Sequence, residues 1–309
     1  MGKKTIIYFN MPLSLKIFVE MKFLLQRLVF SVFFLSLIFQ THAQENFLLW
    51  QISGNGLSDT SYLFGTIHIR DKRVFDLGDS TYYAIQHTKA LFGELDLQDK
   101  DAIKAHASEI MMPAGISLEY LLTPAEYKQI KKYCKKHIGI YALLINKIKP
   151  IYLSAVISEN LLKKDEKQPL DMYLQEYASK LGHTVGGIET IDEQFAVMNI
   201  LSLQEQANML LEQVQHIEDE KKLMEEMLQL YLSESLDKLD SLVQADTTSQ
   251  EFNEAILDTR NKVMLKRMQE QMLKKSTFFA VGAAHLAGEK GLVLLLRKEG
   301  FQVRPVKRK

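Results

Sequence analysis

The chain has 309 residues, 47% of them hydrophobic and 25% charged, with 38 Lys and Arg against 38 Asp and Glu. That mixture supports a packed core and excludes a disordered, collagen-like or low-complexity chain, and the lack of net positive charge excludes a strongly basic nucleic-acid binder. A single cysteine, Cys134, excludes a disulfide framework and any cysteine-rich zinc site.

Residues 21–43, MKFLLQRLVFSVFFLSLIFQTHA, read as a secretory signal peptide. Lys22 and Arg27 form its basic start, residues 28–39 are an uncharged apolar run, and Thr41 and Ala43 place small residues before a cleavage point at Gln44. The apolar run is shorter than the roughly 20 residues of a membrane span. Cleavage is therefore expected rather than a retained anchor, leaving no stable membrane span. Met21 is the expected start, with residues 1–20 upstream of it. The mature chain, 44–309, is expected to be one exported domain, periplasmic or extracellular.

Residues 47–52 and 61–67 are apolar, β-rich runs on either side of Ser53-Gly54-Asn55-Gly56, which predicts a hairpin. Residues 79–89 have helical spacing at Tyr82 and Ile85, and residues 90–95 (ALFGEL) form another short strand. The character then becomes helical. Thr123-Pro124-Ala125-Glu126 is a capping box with Pro at the first helical position, opening a helix to about His137. Residues 151–163 and 170–181 are further helices, the second stopped by Gly182. Residues 183–188 return briefly to strand. Ser202-Leu203-Gln204-Glu205 is a second capping box and starts one long charged helix carrying Leu210, Val214, Ile217, Leu223, Met227 and Leu230. Asp246-Thr247-Thr248-Ser249 is a polar break before a helix over residues 250–274. Residues 277–281 (TFFAV) are a buried strand, residues 288–298 a helix ended by Gly300, and residues 301–306 a last strand. Strands cluster at both ends and helices fill the middle. The economical reading is an α/β fold, a mixed sheet built from both ends of the chain with a helical insertion at about 98–274. No fixed-period repeat is visible.

Two short stretches match each other. Gly65-Thr66-Ile67-His68 follows the strand SYLF, and Gly282-Ala283-Ala284-His285 follows FFAV. A histidine just beyond a strand's carboxyl end lies where open α/β sheets build their sites, and neutral imidazole is a common metal ligand. Either one alone reads as a hydrogen-bonded turn residue; the repetition in equivalent contexts makes both candidates. Glu94, between Phe92 and Leu95, is costly unless paired, protonated or metal-bound. Glu189 ends the next strand, although Asp192 and Glu193 behind it also fit the acidic start of a helix. Taken alone, Arg260 and Asn261, in a helix with Glu254 and Lys266, read as solvated surface. Cys134, in Lys131-Lys132-Tyr133-Cys134-Lys135-Lys136, reads as a helix-surface cysteine whose thiol the lysines would acidify. His87, His106, His137, His183 and His216 share no context and read as structural. HExxH, GxSxG, Walker A and GxGxxG are absent.

Together these residues resemble the TraB/GumN family, which includes the PrgY pheromone-shutdown proteins and the animal TIKI proteases. The similarity is carried by LLWQISGNG with SYLFGTIH (48–68), LFGELDL (91–97), PLDMYLQEYASKLGHTVGGIETIDEQ (169–194), Arg260-Asn261 with Met264, and FFAVGAAHLAGEKGLVLLLRKEGFQVRPV (278–306). The resemblance implies an α/β core related to erythromycin-esterase-like and ChaN-like proteins. It also implies a metal-dependent peptidase using manganese or cobalt rather than zinc. Carried over, His68, His285 and Glu94 are the metal-site residues, and Glu189, Arg260 and Asn261 join Glu94 in lining a catalytic cleft.

The expected function is an exported metal-dependent hydrolase acting on a peptide or protein, with Glu94 or Glu189 as remaining ligand or general base and Arg260 gripping an oxyanion or substrate carboxylate. The alternative is a non-catalytic peptide, metal or haem binder using the same histidines.

Overall fold

The computed structural model describes residues 46–245, 252 and 254–309. The signal peptide expected at 21–43 and the polar break at 246–249 lie outside them. In chain order the elements are β1 (Leu49–Ser53), β2 (Ser61–Thr66), α1 (Gly78–Gln86), β3 (Ala90–Gly93), α2 (Lys100–Ala105), α3 (Leu118–Leu121), α4 (Pro124–His137), α5 (Pro150–Leu161), α6 (Leu170–Lys180), β4 (Thr184–Gly187), α7 (Ile191–Met198), α8 (Leu203–Gln215), α9 (Ile217–Leu232), α10 (Leu236–Gln244), α11 (Arg260–Met272), β5 (Thr277–Gly282), α12 (Leu292–Lys298) and β6 (Gln302–Pro305).

The hairpin forms where the turn cluster predicts it: β1 and β2 pair antiparallel, with Leu49 opposite Phe64 and Ile52 opposite Ser61. Gly54, Asn55 and Gly56 all take positive φ, 77°, 47° and 80°, a run that only Gly and Asn adopt cheaply. The sheet has six strands in the order β4-β3-β5-β2-β1-β6. β5 lies parallel to β2 on one side and to β3 on the other, β4 is parallel to β3, and β6 is antiparallel to β1. This is a mixed α/β sheet, as the strand pattern implies, but only five strands come from the two ends of the chain: β4 lies within the stretch 98–274 expected to be a helical insertion. Buried from both faces as a central parallel strand, β5 reads as a continuous apolar run; Phe278 and Phe279 are both fully buried.

One consequence of the topology governs the site. β4, β3, β5 and β2 run parallel, so their carboxyl ends stand side by side on one edge of the sheet. The segments leaving that edge carry Glu189, Glu94, His285 and His68 in that order.

Two apolar clusters hold the chain. The larger covers the sheet and includes Ile52, Leu63, Ile85, Leu91, Leu174, Phe278 and Phe279. The smaller lies among the helices and includes Leu118, Ile130, Leu153, Ile157 and Leu210. Cys134 belongs to this second cluster and is fully buried. This corrects the surface reading of that cysteine. It shares a face of α4 with Tyr127 and Ile130, which point inward at helical spacing, while the lysines occupy the outer face. Burial pushes its thiol up to about 11 instead of down.

Both expected capping boxes form, at Thr123/Glu126 and Ser202/Glu205. The single long helix expected after Ser202 does not. It breaks at His216 into α8 and α9. The apolar spacing runs through the break, but the two halves serve different cores: Ala207 and Leu210 pack in the helical cluster, Leu228 and Tyr231 against the sheet. The helix expected over 250–274 is also irregular, because Glu254–Thr259 winds as a π-helix directly before α11.

Candidate functional site

Glu94 leaves β3 at the sheet's carboxyl edge, and its Oε1 accepts a hydrogen bond from the Gly282 backbone N–H at the end of β5, 2.7 Å away. A Cβ on Gly282 would sit 3.1 Å from that same oxygen, so a side chain at this position of the second GxxH segment would crowd the carboxylate. Glu189, at the exit of β4, is buried, with a side chain only 2% exposed. Both carboxylates converge on Arg260. Its Nε donates to Glu189 Oε1 at 2.8 Å, and its Nη2 donates to Glu189 Oε2 at 2.7 Å and to Glu94 Oε2 at 2.6 Å. Nη1 donates to the Ile256 carbonyl at 3.1 Å, inside the π-turn. That wide turn presents the first residue of α11 to the sheet edge; such turns recur at functional sites. Gln194 on α7 donates to both Glu94 and Glu189, 3.2 Å from each.

Desolvation opposes the charge on Glu94, but the neighbouring His285 ring, the Arg260 guanidinium and the Gly282 N–H outweigh it and hold the carboxyl below its ordinary value. Arg260 also loses solvation, yet its bonds to Glu189 and Glu94 raise its pKa further. Arg260 and Asn261, surface residues by pattern, are therefore both interior: the arginine side chain is 12% exposed and Asn261 is 2% exposed.

Asn261 fixes the state of His285. Its Nδ2 donates to the Lys290 carbonyl at 2.9 Å and reaches the His285 carbonyl at 3.4 Å, so its Oδ1 is the atom facing His285 Nδ1, at 2.7 Å. Nδ1 must then carry the proton. Burial lowers the His285 pKa, with Glu94 partly opposing, so the ring is neutral and Nε2 presents a lone pair. That lone pair lies 3.8 Å from Glu94 Oε1, too far for a hydrogen bond.

His68, one strand over at the end of β2, is arranged in the same sense but in the open. Its Nδ1 is 3.1 Å from Asp171 Oδ2 and its side chain is 65% exposed. Asp171 lies in the first turn of α6, where the helix dipole favours an anion, and its other oxygen accepts from Thr66 Oγ1. The Asp171 bond raises the His68 pKa, opposed by desolvation. In both histidines, then, Nδ1 is engaged by a protein acceptor, which leaves Nε2 as the nitrogen available to a ligand. This is how metal-ligating imidazoles are commonly oriented.

The amino-acid sequence matches the TraB/PrgY/gumN family over residues 48–305. The chain belongs to that family. Relatives within it include metalloprotease TIKI1 of Xenopus tropicalis, 28% identical, with the match covering 84% of this chain and 62% of the relative. Metalloprotease TIKI2 of Danio rerio is 26% identical over 84% of this chain and 60% of its own length, and metalloprotease TIKI1 of Homo sapiens is 26% identical over 84% and 62%. This TraB/PrgY/gumN chain thus spans about three fifths of the length of these relatives. No solved structure matches it.

A divalent ion is implied by the relatives' names, and the donors can be tested against it. Among the described residues no three His, Cys, Asp or Glu side chains already converge as a metal-binding group. The His285 Nε2 and Glu94 Oε1 pair does fit. Two acceptors face each other across 3.8 Å, a span that two ligands each about 2.0–2.2 Å from a shared ion can make. His68 lies on the same sheet edge with its Nδ1 braced by Asp171, but among the described residues its ring does not converge with the pair as a third donor.

Two members of this site escaped the sequence reading. Asp171 projects from the helix expected at 170–181, Gln194 from a short helix, Ile191–Met198, that the sequence reading did not place, and nothing in their spacing marks them. The Pro169–Asp171 stretch carried a family signal, but no role for Asp171 followed from it. Arg267, seven residues after Arg260 and so on the same face of α11, grips Glu193 with both Nη atoms at 2.7 and 2.8 Å and donates to the Ile188 carbonyl. It pins the start of α7, and with it Gln194, against the site.

Proposed function

We propose that this protein is an exported metal-dependent peptidase, with a divalent ion, manganese or cobalt in preference to zinc, held by His285 Nε2, Glu94 Oε1 and His68 Nε2. The observation that carries this reading is the lone-pair-to-carboxylate gap between His285 and Glu94, with the tautomer of His285 locked by Asn261. A bound ion would polarise a scissile carbonyl and acidify a water molecule.

The chain's own residues do the rest. Asn261 keeps Nε2 of His285 unprotonated and aimed along the sheet edge. Arg260 keeps Glu94 ionised, and because four of its five N–H donors are taken by Glu189, Glu94 and Ile256, its part is positioning the carboxylates instead of gripping substrate. Glu189 balances Arg260's charge and fixes the guanidinium plane. A carboxylate held below its ordinary pKa suits Glu94 as a ligand better than as a base, since a general base works best near the operating pH. His68, exposed at the mouth, would complete the donor set by turning its Nε2 toward the His285–Glu94 pair, which it does not reach as it stands. The relatives' names, metalloproteases, support a peptide or protein substrate.

The test is metal content by elemental mass spectrometry on the purified protein and on His68→Ala, His285→Ala and Glu94→Gln, with cleavage of a peptide library under Mn²⁺, Co²⁺ and Zn²⁺. One ion per chain, lost in His285→Ala and Glu94→Gln while the circular dichroism melt persists, is expected. Full occupancy in a folded His285→Ala protein would sink the proposal. So would peptide cleavage undiminished by chelation.

A further inference from the structure

Residues 127–158 contain seven lysines, at 128, 131, 132, 135, 136, 147 and 149, and no aspartate or glutamate. This stretch takes in most of α4, most of α5 and the 3-10 turn Gly139–Leu143 between them. Buried Ile138 and Ile145, each 4% exposed, anchor the two ends of that turn, and the residues between project outward: Ile140 is 74% exposed, Tyr141 43% and Leu143 79%. Tyr120 on neighbouring α3 is 79% exposed. Aliphatic side chains bared to that extent stand on a protrusion, not in a groove. Lys132, Lys135, Lys136 and Lys147 are exposed around it, while Lys149 bonds Asn199 and Lys131 lies over the Tyr127 ring. A shallow hollow of about 480 Å³ beside the tip is lined by Lys132, Tyr133, Lys136 and His137. The acids nearby include Glu218 of α9, whose charge reaches Tyr133, Glu109, whose charge reaches Tyr152 and whose segment pairs with Lys147 and Lys149, Glu119 on α3, and Glu126, which is held in its capping box.

We propose that this tip docks the protein on an anionic lipid bilayer, with Ile140 and Leu143 entering the interface and the surrounding lysines meeting headgroup phosphates. The composition selects lipid over a protein partner. Protein interfaces favour arginine, tyrosine and tryptophan seated in complementary pockets and are depleted in lysine. An aliphatic point ringed by lysines, whose stems lie along apolar surface while their charges stay in water, matches a charged membrane interface. The catalytic proposal is not required for this one.

The test places an environment-sensitive fluorophore at the tip. Ile140→Cys is labelled in the folded full-length chain; Cys134 is buried with a raised pKa, so the wild-type protein should take up no label. The probe is phosphatidylglycerol-containing vesicles against pure phosphatidylcholine vesicles, read at position 140 so that binding through any other segment does not register. The emission is expected to shift to the blue on anionic vesicles and not on neutral ones, and to revert in high salt. Replacing Lys132, Lys135, Lys136 and Lys147 by Gln should weaken the apparent affinity at least tenfold, since each lysine near an anionic surface contributes about fivefold. A label at Leu273→Cys, a 68% exposed apolar position outside the patch, should stay silent. Silence at position 140 on anionic vesicles overturns the proposal, as does an equal response at 273. A response to polyglutamate without one to vesicles also overturns it and assigns the tip to an acidic protein.

Discussion

The two GxxH segments begin alike and end in different surroundings. Gly282–His285 turns inward: His285 is 3% exposed, its Nδ1 is bonded by a buried amide, and its Nε2 faces a carboxylate tied to an arginine. Gly65–His68 turns outward, and His68, two thirds exposed, is held by one carboxylate at the rim. The segments also touch: a Cβ on Gly65 would come within 3.1 Å of Ala283. The same four-residue pattern on neighbouring parallel strands therefore yields one fixed and one adjustable imidazole. The difference comes from what packs over each strand end, α11 on one side and the start of α6 on the other.

The largest expected effect lies on the buried side. Arg260→Ala leaves Glu94 and Glu189 as uncompensated carboxylates and should destabilise by about 3–5 kcal/mol in urea unfolding; Arg260→Lys should recover part of that, because it keeps the charge but not the fork. A loss within experimental error would mean the carboxylates have another partner. Next, Asn261→Leu strands the His285 Nδ1 proton and should cost about 1–3 kcal/mol, with about 10–100-fold weaker metal binding. Asp171→Asn at the exposed histidine should lower metal affinity over the same range while costing less than about 1 kcal/mol of stability. Equal stability losses for these two variants would erase the distinction between the corners.

A smaller effect belongs to the brace behind the buried corner. Arg267 first of all pulls the Glu193 carboxyl down from its ordinary 4.5 to about 2. A depressed acid contributes stability above its unfolded pKa and loses it as pH falls through the folded one. Wild type should therefore be more stable than Arg267→Gln at pH 6, by about 0.5–1 kcal/mol for so exposed a pair. The pH-dependent, charge-pair share of that gap should fade between pH 4.5 and 2. An unchanged gap across that window would assign the brace to the Ile188 carbonyl bond instead. The smallest effect, remote from both corners, is at Cys134: iodoacetamide at pH 8 should leave the native thiol unmodified and alkylate it promptly in guanidinium.

Strand ends were the legible part of this molecule. His68, Glu94, Glu189 and His285 each follow an apolar run, so the local pattern singles them out, and parallel pairing brings their strand ends onto one edge. Arg260 and Asn261 became visible only through family resemblance, because a charged helix start looks the same whether it faces water or a carboxylate pair. Asp171 and Gln194 lie inside the family-matching stretch 169–194, but nothing local gave either a role, since each acts across more than 75 residues of sequence, Asp171 on His68 and Gln194 on Glu94. The break at His216 was hidden because apolar spacing reports that a helix has a buried face, not which core receives it.

By itself the sequence determined the local elements: the hairpin from Gly-Asn-Gly backbone freedom, the helix starts from their capping boxes, and the central strand from an unbroken apolar run. These depend on interactions within a few residues. Only the tertiary structure decided the direction of each side chain at the sheet edge, the ionisation of Glu94, the tautomer of His285 and the burial of Cys134. Those depend on desolvation and on partners from distant segments, which meet only once the parallel strands and the helices over them have packed.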